Sequence, residues 1–153
     1  MHRKVLGSLV ASLALTACAH QPIVTAETEA VWSLNHVEGE RATLRLARPK
    51  TEAPLFALSC EPHSGDVDIT VTSPDARLSL VRLMSEPVGG RYLTEVGMGP
   101  AGVPILSGAT HSNDPVLTRF AETGDLVLTA FGHGQALPID PDKAAEFMAA
   151  CRR

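Results

Sequence analysis

GDVDITVTSPD, residues 65–75, is the stretch that decides the fold class. Its apolar residues occupy every second position, namely Val67, Ile69 and Val71. Because successive side chains of a strand point to opposite faces, the alternation predicts a half-buried strand that ends in a Ser-Pro-Asp turn. Asp66 and Asp68 fall on the polar face, where ordinary solvation explains them without a calcium or glycosidase site. At a sheet edge the same charges would also discourage unwanted pairing.

Segments with a similar pattern lie on both sides of this strand. They read RATLRLARP (41–49), PLFALSCE (54–61), ARLSLVRLM (76–84), GRYLTEVG (90–97) and DLVLTAFG (125–132). A Pro-Val-Gly-Gly sequence, 87–90, is expected to separate two of them. Short strands divided by turns every 8–12 residues are typical of an antiparallel β-sandwich or a small barrel. The sequence therefore predicts a mostly β domain of one of these two kinds.

Two helices are expected, and each begins with an aspartate cap followed by proline. Asp114 and Pro115 open a short helix that Gly124 closes. Asp140 and Pro141 open a C-terminal helix. Apolar residues recur along one side of that second helix at Ala144, Phe147, Met148 and Cys151. The prediction is a β domain with a C-terminal α-helix whose buried side carries a cysteine.

The N-terminus carries the features of an export signal. Arg3 and Lys4 precede an apolar run too short to cross a bilayer as a stable helix. The run ends in Leu15-Thr16-Ala17-Cys18, which resembles the lipobox of bacterial lipoproteins. The resemblance implies cleavage before Cys18, acylation of that cysteine, and stable membrane anchoring by more than one acyl chain. Ala19 after the cysteine implies the outer membrane, with the domain in or facing the periplasm. A plain signal peptide cleaved after Ala17 or Ala19 is the alternative.

The domain division follows from this signal. Residues 1–17 are expected to be the signal peptide, 18–29 the lipid anchor and tether, and 30–153 a single β-rich domain. Cys60 and Cys151 then remain as an even pair in an oxidising compartment. Neither belongs to a C-x-x-C motif or a basic cluster that would make it reactive. We expect them to form a disulfide.

Charge and motifs argue against nucleic acid and nucleotide partners. Without the signal's two basic residues the chain has 11 basic and 17 acidic side chains, a formal charge of −6, and no Lys/Arg cluster to follow phosphates. GMGPAG, 97–102, matches G-x-G-x-x-G in form. It contains Pro100 and is followed by VPILSGATHS (103–112) rather than by a helix. We interpret it as a mobile glycine-rich loop.

Histidines offer little support for a catalytic or metal site. None stands in H-E-x-x-H or another ligand spacing, and no G-x-S-x-G elbow is present. No catalytic residue, metal or cofactor is therefore assigned. The loops around Gly97, Gly99, His111, Asp114 and His133 are instead the candidate partner-facing surface.

The leading functional hypothesis is a membrane-anchored envelope lipoprotein that acts as a non-enzymatic binding or adaptor module. The serine-cysteine strand and the terminal F-x-x-x-C resemble small uncharacterised proteobacterial envelope proteins, which implies no activity. Two alternatives stay open. One is an inhibitor similar to the periplasmic lysozyme inhibitors, whose Ser-Gly-rich loop SGATHS (107–112) resembles. The other is a metal-binding or hydrolytic protein that uses His111, Asp114 and His133.

Overall fold

The computed structural model describes residues 24–25, 29–72, 80–130 and 134–152. Its strands are β1 (Val24–Thr25), β2 (Val31–Asn35), β3 (Ala42–Ala47), β4 (Phe56–Cys60), β5 (Asp66–Thr72), β6 (Leu80–Ser85), β7 (Val88–Leu93), β8 (Glu95–Met98), β9 (Pro104–His111), β10 (Val127–Thr129) and β11 (Gly134–Ala136). The helices are α1 (Pro115–Thr123) and α2 (Pro141–Cys151), and a single 3₁₀ turn spans Pro100–Gly102. None of the described helices is long and apolar enough to cross a bilayer.

The strands form two sheets in a sandwich-like arrangement. The five-stranded sheet has the order β1-β11-β10-β6-β7, and the six-stranded sheet has the order β2-β3-β4-β5-β9-β8. Pairing is antiparallel throughout except between β1 and β11. The predicted mostly β fold with a C-terminal helix is confirmed, and of the two expected architectures the structure has the sandwich, without a closed barrel.

The core lies between the inner faces of the two sheets and includes both helices. α1 packs against β6 and β7, α2 packs against β2 and β3, and the helices contact each other. Phe120 of α1 and Phe147 of α2 are fully buried, and Trp32 packs against Phe120. Alternation in β3 and β5 buries every second side chain, because one face of their sheet meets this core. Few aromatic residues are needed, since leucine, valine and alanine fill most of the interior.

A disulfide joins Cys60 at the end of β4 to Cys151 at the end of α2. The main chain adds two hydrogen bonds here, since the N–H groups of His63 and Gly65 donate to the carbonyl oxygens of Ala150 and Cys151. The expected pairing is present in the structure. It ties the last helix to the six-stranded sheet across a sequence separation of 91 residues.

Both helices begin at the predicted residue, directly after the aspartate that caps them. Asp114 and Asp140 accept hydrogen bonds from main-chain N–H groups of the first turn of α1 and α2. Gly124 closes α1 with φ +66°, and a Cβ atom there would come within 2.4 Å of the nitrogen of Pro141. Glycine is required at this position because the end of α1 abuts the start of α2.

Several local expectations were wrong. The strand predicted over 90–97 is two strands, because the chain leaves the five-stranded sheet and enters the six-stranded one at Thr94. Val88, Gly89 and Gly90 of the expected break lie inside β7. β5 pairs with β4 and β9, so the condition under which its aspartates would discourage edge pairing is not met. The Ser-Pro-Asp turn over 73–75 lies outside the described residues.

The N-terminal boundary also differs from the expectation. Val24 and Thr25, assigned to the tether by their polar surroundings, pair with Gln135 and Ala136 as a short parallel strand. Cys18 and the rest of residues 1–23 lie outside the described part of the chain, so the lipobox stays a prediction.

Candidate functional site

His111 and Asp66 meet at one end of the six-stranded sheet. They face each other across the β5–β9 ladder, and His111 Nδ1 lies 2.9 Å from Asp66 Oδ1. Both side chains are largely exposed and line an open depression of about 580 Å³ that Arg152 also borders. A carboxylate and the imidazole that it orients are two of the three members of a catalytic triad. The third member is not assembled here: Ser64 bonds to the main chain of Asp66, and Ser112 is buried.

Asp114 does not join His111 in a shared site. Its Oδ1 accepts hydrogen bonds from the N–H groups of Val116 at 2.8 Å and Leu117 at 3.4 Å and from the hydroxyl of Tyr92 at 2.9 Å. Its Oδ2 accepts from Thr110 Oγ1 at 3.0 Å. Both oxygens are therefore engaged in holding α1 against β7 and β9. The prediction that Asp114 caps the helix is confirmed, and its carboxylate serves this internal contact.

The bond to Asp114 changes the titration of Tyr92. Burial of the phenol, the hydrogen bond to Asp114 and the negative charge of that carboxylate all raise the pKa of Tyr92 above its usual value. Because the folded-state pKa is the higher one, the stability that this contact contributes is complete below the unfolded value of about 10. It is lost as the pH rises beyond that value.

Ultraviolet titration can follow this group alone, since Tyr92 is the single tyrosine of the chain. We expect phenolate absorbance in the native protein to appear clearly above pH 10, and in the urea-unfolded chain near pH 10. Equal midpoints in the two states would contradict the buried contact with Asp114.

The glycine-rich segment is mostly strand and turn rather than loop. Gly97 lies in β8, and Gly99 begins the turn into β9, where its N–H donates to the carbonyl oxygen of Val103 at 2.8 Å. A Cβ atom on Gly99 would come within 2.7 Å of Ile105 Cγ2. The turn needs this glycine because β9 packs so closely behind it. The element that follows is a strand, so the segment does not open a helix as a dinucleotide loop does.

β8 is the free edge of the six-stranded sheet. It pairs with β9 on one side, and no described strand pairs with its other side. Hydrogen-bonded and non-bonded residue pairs alternate along an antiparallel ladder. Gly99 and Val103 form a hydrogen-bonded pair, since the N–H of Gly99 donates to the carbonyl oxygen of Val103. The next pair, Met98 opposite Pro104, is therefore a non-hydrogen-bonded pair, and Pro104 has no N–H to donate. The alternation therefore directs the main-chain N–H and C=O groups of Val96 and Met98 away from β9, toward the open side.

The side chains along this edge are apolar and uncovered. Val96 stands opposite Leu106, a core residue, and so shares the inner face of the sheet with it. Val96 is nevertheless 48% exposed and Met98 68% exposed. We define the β8 edge as Glu95–Met98, with the outward main-chain groups and the exposed apolar side chains of Val96 and Met98.

A groove of about 600 Å³ lies beside Thr94, where the chain passes from β7 to β8. Its polar wall contains Arg41, Asp68 and Glu95, and Arg41 forms ion pairs with both Asp68 and Glu61. Thr94 also lines the groove, and its buried Oγ1 has no hydrogen-bond partner among the described residues. A buried hydroxyl without a partner is costly. The Thr94 hydroxyl is therefore an unpartnered polar group within the described fold, at the point where the chain passes from β7 to β8.

The remaining predicted site residues do not converge. His133 lies outside the described residues, so its expected proximity to His111 is untested. Among the described side chains no three His, Cys, Asp or Glu residues form a group able to hold a metal ion. SGATHS, treated as a loop in the comparison with lysozyme inhibitors, lies mainly within β9 and therefore provides no projecting loop.

Sequence reasoning missed the β8 edge and the pairing of His111 with Asp66. Both depend on which strands are neighbours, and the alternation of GRYLTEVG carried no mark of the change of sheet at Thr94. No family model, curated protein or solved structure matches this chain.

Proposed function

We propose that this protein is a lipid-anchored, non-enzymatic binding module of the bacterial cell envelope. The lipobox over Leu15–Cys18 supports the anchor. More than one acyl chain on Cys18 would hold the domain stably at the membrane without a spanning helix. The residue after the cysteine, Ala19, favours the outer membrane with the domain in or facing the periplasm.

The partner in this proposal is an envelope protein that adds an extended segment to the β8 edge. The observation that carries it is the outward direction of the main-chain groups of Val96 and Met98. Strand addition uses such unpaired N–H and C=O groups for affinity and alternate side chains for specificity. The exposed Val96 and Met98 side chains would then be covered by apolar residues of the partner.

The groove beside the edge supports the same function and refines the expected partner. Glu95 and Asp68 are acidic, whereas Arg41, the one basic residue among the described residues that line the groove, is already paired with Asp68 and Glu61. A partner segment with a basic side chain near the start of β8 would complement this charge.

A proline at position 96 tests the proposal with little disturbance of the fold. Val96→Pro removes an N–H that points away from β9, so the β8–β9 ladder keeps its own bonds, while strand addition is blocked. We expect this variant to lose the partner that copurifies with the native protein from crosslinked envelopes, at least tenfold. Val96→Thr retains the N–H and a branched side chain and is expected to keep the partner.

Thermal unfolding of both variants provides the control for folding. If Val96→Pro unfolds like Val96→Thr and still retains the partner, the β8 edge is not the binding surface. If no protein is enriched over a control with the same lipid anchor, the adaptor function itself is wrong.

A further inference from the structure

The five-stranded sheet carries an unusual charge distribution for an acidic protein. The chain has a formal charge of −4, yet the only charged residues in the five strands of this sheet are Arg82 and Arg91. Val81 and Leu83 point into the core, so the intervening Arg82 belongs to the outer face. The nearest acidic residues in sequence, Glu86 and Glu95, lie beyond the ends of β7.

The two arginines stand directly opposite each other. Arg82 of β6 pairs in register with Arg91 of β7, and both are exposed. Like charges in this position oppose each other. Neither guanidinium forms a hydrogen bond or ion pair with any described residue, in contrast to Arg41 and Arg119. The outer face therefore holds two uncompensated positive charges side by side.

Apolar side chains and a small depression accompany this pair. Leu93, next to Arg91 on the same face, is 80% exposed, and Leu80 stands opposite it. A depression of about 200 Å³ lies beside Arg82 and is lined by Met84, Val127 and Thr129 among others. Exposed leucines flanking a cationic centre are characteristic of surfaces that meet the boundary between lipid headgroups and acyl chains.

The chain path brings this sheet close to the proposed lipid anchor. β1 is a strand of the same sheet, and Val24 follows Cys18 by six residues. Six residues span at most about 20 Å when fully extended. A tether this short keeps the start of β1, the edge strand at the opposite side of the sheet from β7, within that distance of the membrane.

We infer that the outer face of the five-stranded sheet docks on an anionic phospholipid surface through Arg82, Arg91 and Leu93. This inference rests on the lipid anchor of the proposed function. The anchor attaches the protein to the membrane, and the arginines set its orientation by contacting lipid phosphates. The β8 edge belongs to the other sheet. Leu93 also lines the groove beside that edge, so the membrane-facing surface and the partner-binding surface adjoin there.

Depth-dependent fluorescence quenching tests this orientation on the mature, lipidated protein. A bimane probe is attached at Leu93→Cys, and in a matched control at Val37→Cys, an exposed site in the β2–β3 turn of the other sheet. The proteins are reconstituted in vesicles of phosphatidylcholine with or without 40% phosphatidylglycerol, with a spin-labelled lipid as quencher. Mass spectrometry first establishes that Cys18 carries its acyl chains.

The expected result is at least twofold stronger quenching at position 93 than at position 37, in phosphatidylglycerol vesicles only. Arg82→Gln/Arg91→Gln, or about 0.5 M NaCl, is expected to remove the difference, because salt at that concentration shortens the screening length to about 4 Å. Equal quenching at the two positions, or no dependence on phosphatidylglycerol, would overturn the inference while leaving the anchor intact. An unacylated Cys18 would overturn the anchor and the inference together, and the mass alone would show it.

Discussion

Removal of the Cys60–Cys151 disulfide is expected to cost about 4–5 kcal/mol of unfolding free energy. The bond closes a loop of 91 residues, and loop-closure entropy of the unfolded chain grows with the logarithm of that length. Both cysteines are fully buried between β4 and α2. The double substitution Cys60→Ala/Cys151→Ala removes the covalent bond between these two elements and leaves no free thiol at either position. For a domain of this size the loss corresponds to a fall in Tm of roughly 10–20 °C.

Chemical denaturation of the double variant and of the reduced native protein provides the measurement and its control. The two are expected to agree within about 1 kcal/mol, because each lacks only the crosslink and a little core volume. A loss below about 1 kcal/mol in both would mean that α2 is held by its packing against β2 and β3 alone.

Asp114→Ala is expected to produce the second-largest loss of stability, about 2–4 kcal/mol. The substitution removes the cap of α1, usually worth about 1 kcal/mol. It also leaves the buried hydroxyl of Tyr92 without its acceptor, which adds about 1–3 kcal/mol. The carboxylate is thus expected to matter more than a cap alone because it serves α1, β7 and β9 at once.

Asp140→Ala is the matched control for this prediction. Asp140 caps α2 through the N–H of Lys143 and bonds the side chain of the same residue, without a buried hydroxyl among its described partners. Its loss is expected to stay near 1 kcal/mol. In a cycle with Tyr92→Phe, the Asp114 and Tyr92 substitutions should be strongly non-additive. If Asp114→Ala and Asp140→Ala lower the unfolding free energy equally, and the Asp114 and Tyr92 substitutions are additive, then Asp114 acts only as a helix cap.

The elements that sequence predicted well are those decided by local chemistry. Val67, Ile69 and Val71 alternate because one face of β5 meets the core, and that pattern is readable without knowing the partner strands. The Asp-Pro openings of α1 and α2 are equally local, since each cap bonds main-chain groups within its own first turn. The cysteine pair could be predicted by counting cysteines, given the oxidising compartment that the lipobox resemblance implies.

What sequence missed depends on pairing between distant segments. Alternation continues unbroken through Tyr92, Thr94 and Val96, although the chain changes sheets at Thr94, because the period of a strand does not depend on its neighbour. His111 meets Asp66 only through the β5–β9 register, 45 positions apart in sequence. The opposition of Arg82 and Arg91 likewise requires the β6–β7 register. The candidate binding surfaces could therefore not be predicted from the sequence of any single strand, because they depend on which strands are paired.

Site-specific photocrosslinking in the native envelope tests the central claim, binding at the β8 edge, most directly. A photoreactive residue replaces Met98 and, in a matched control, Ile139, which has the same 68% exposure but lies in the segment before α2. We expect one dominant protein crosslink from position 98, mapped by mass spectrometry to a single short segment of the partner and abolished by Val96→Pro. Equal crosslinking from both positions, or a crosslink at position 98 that survives Val96→Pro, would contradict the claim.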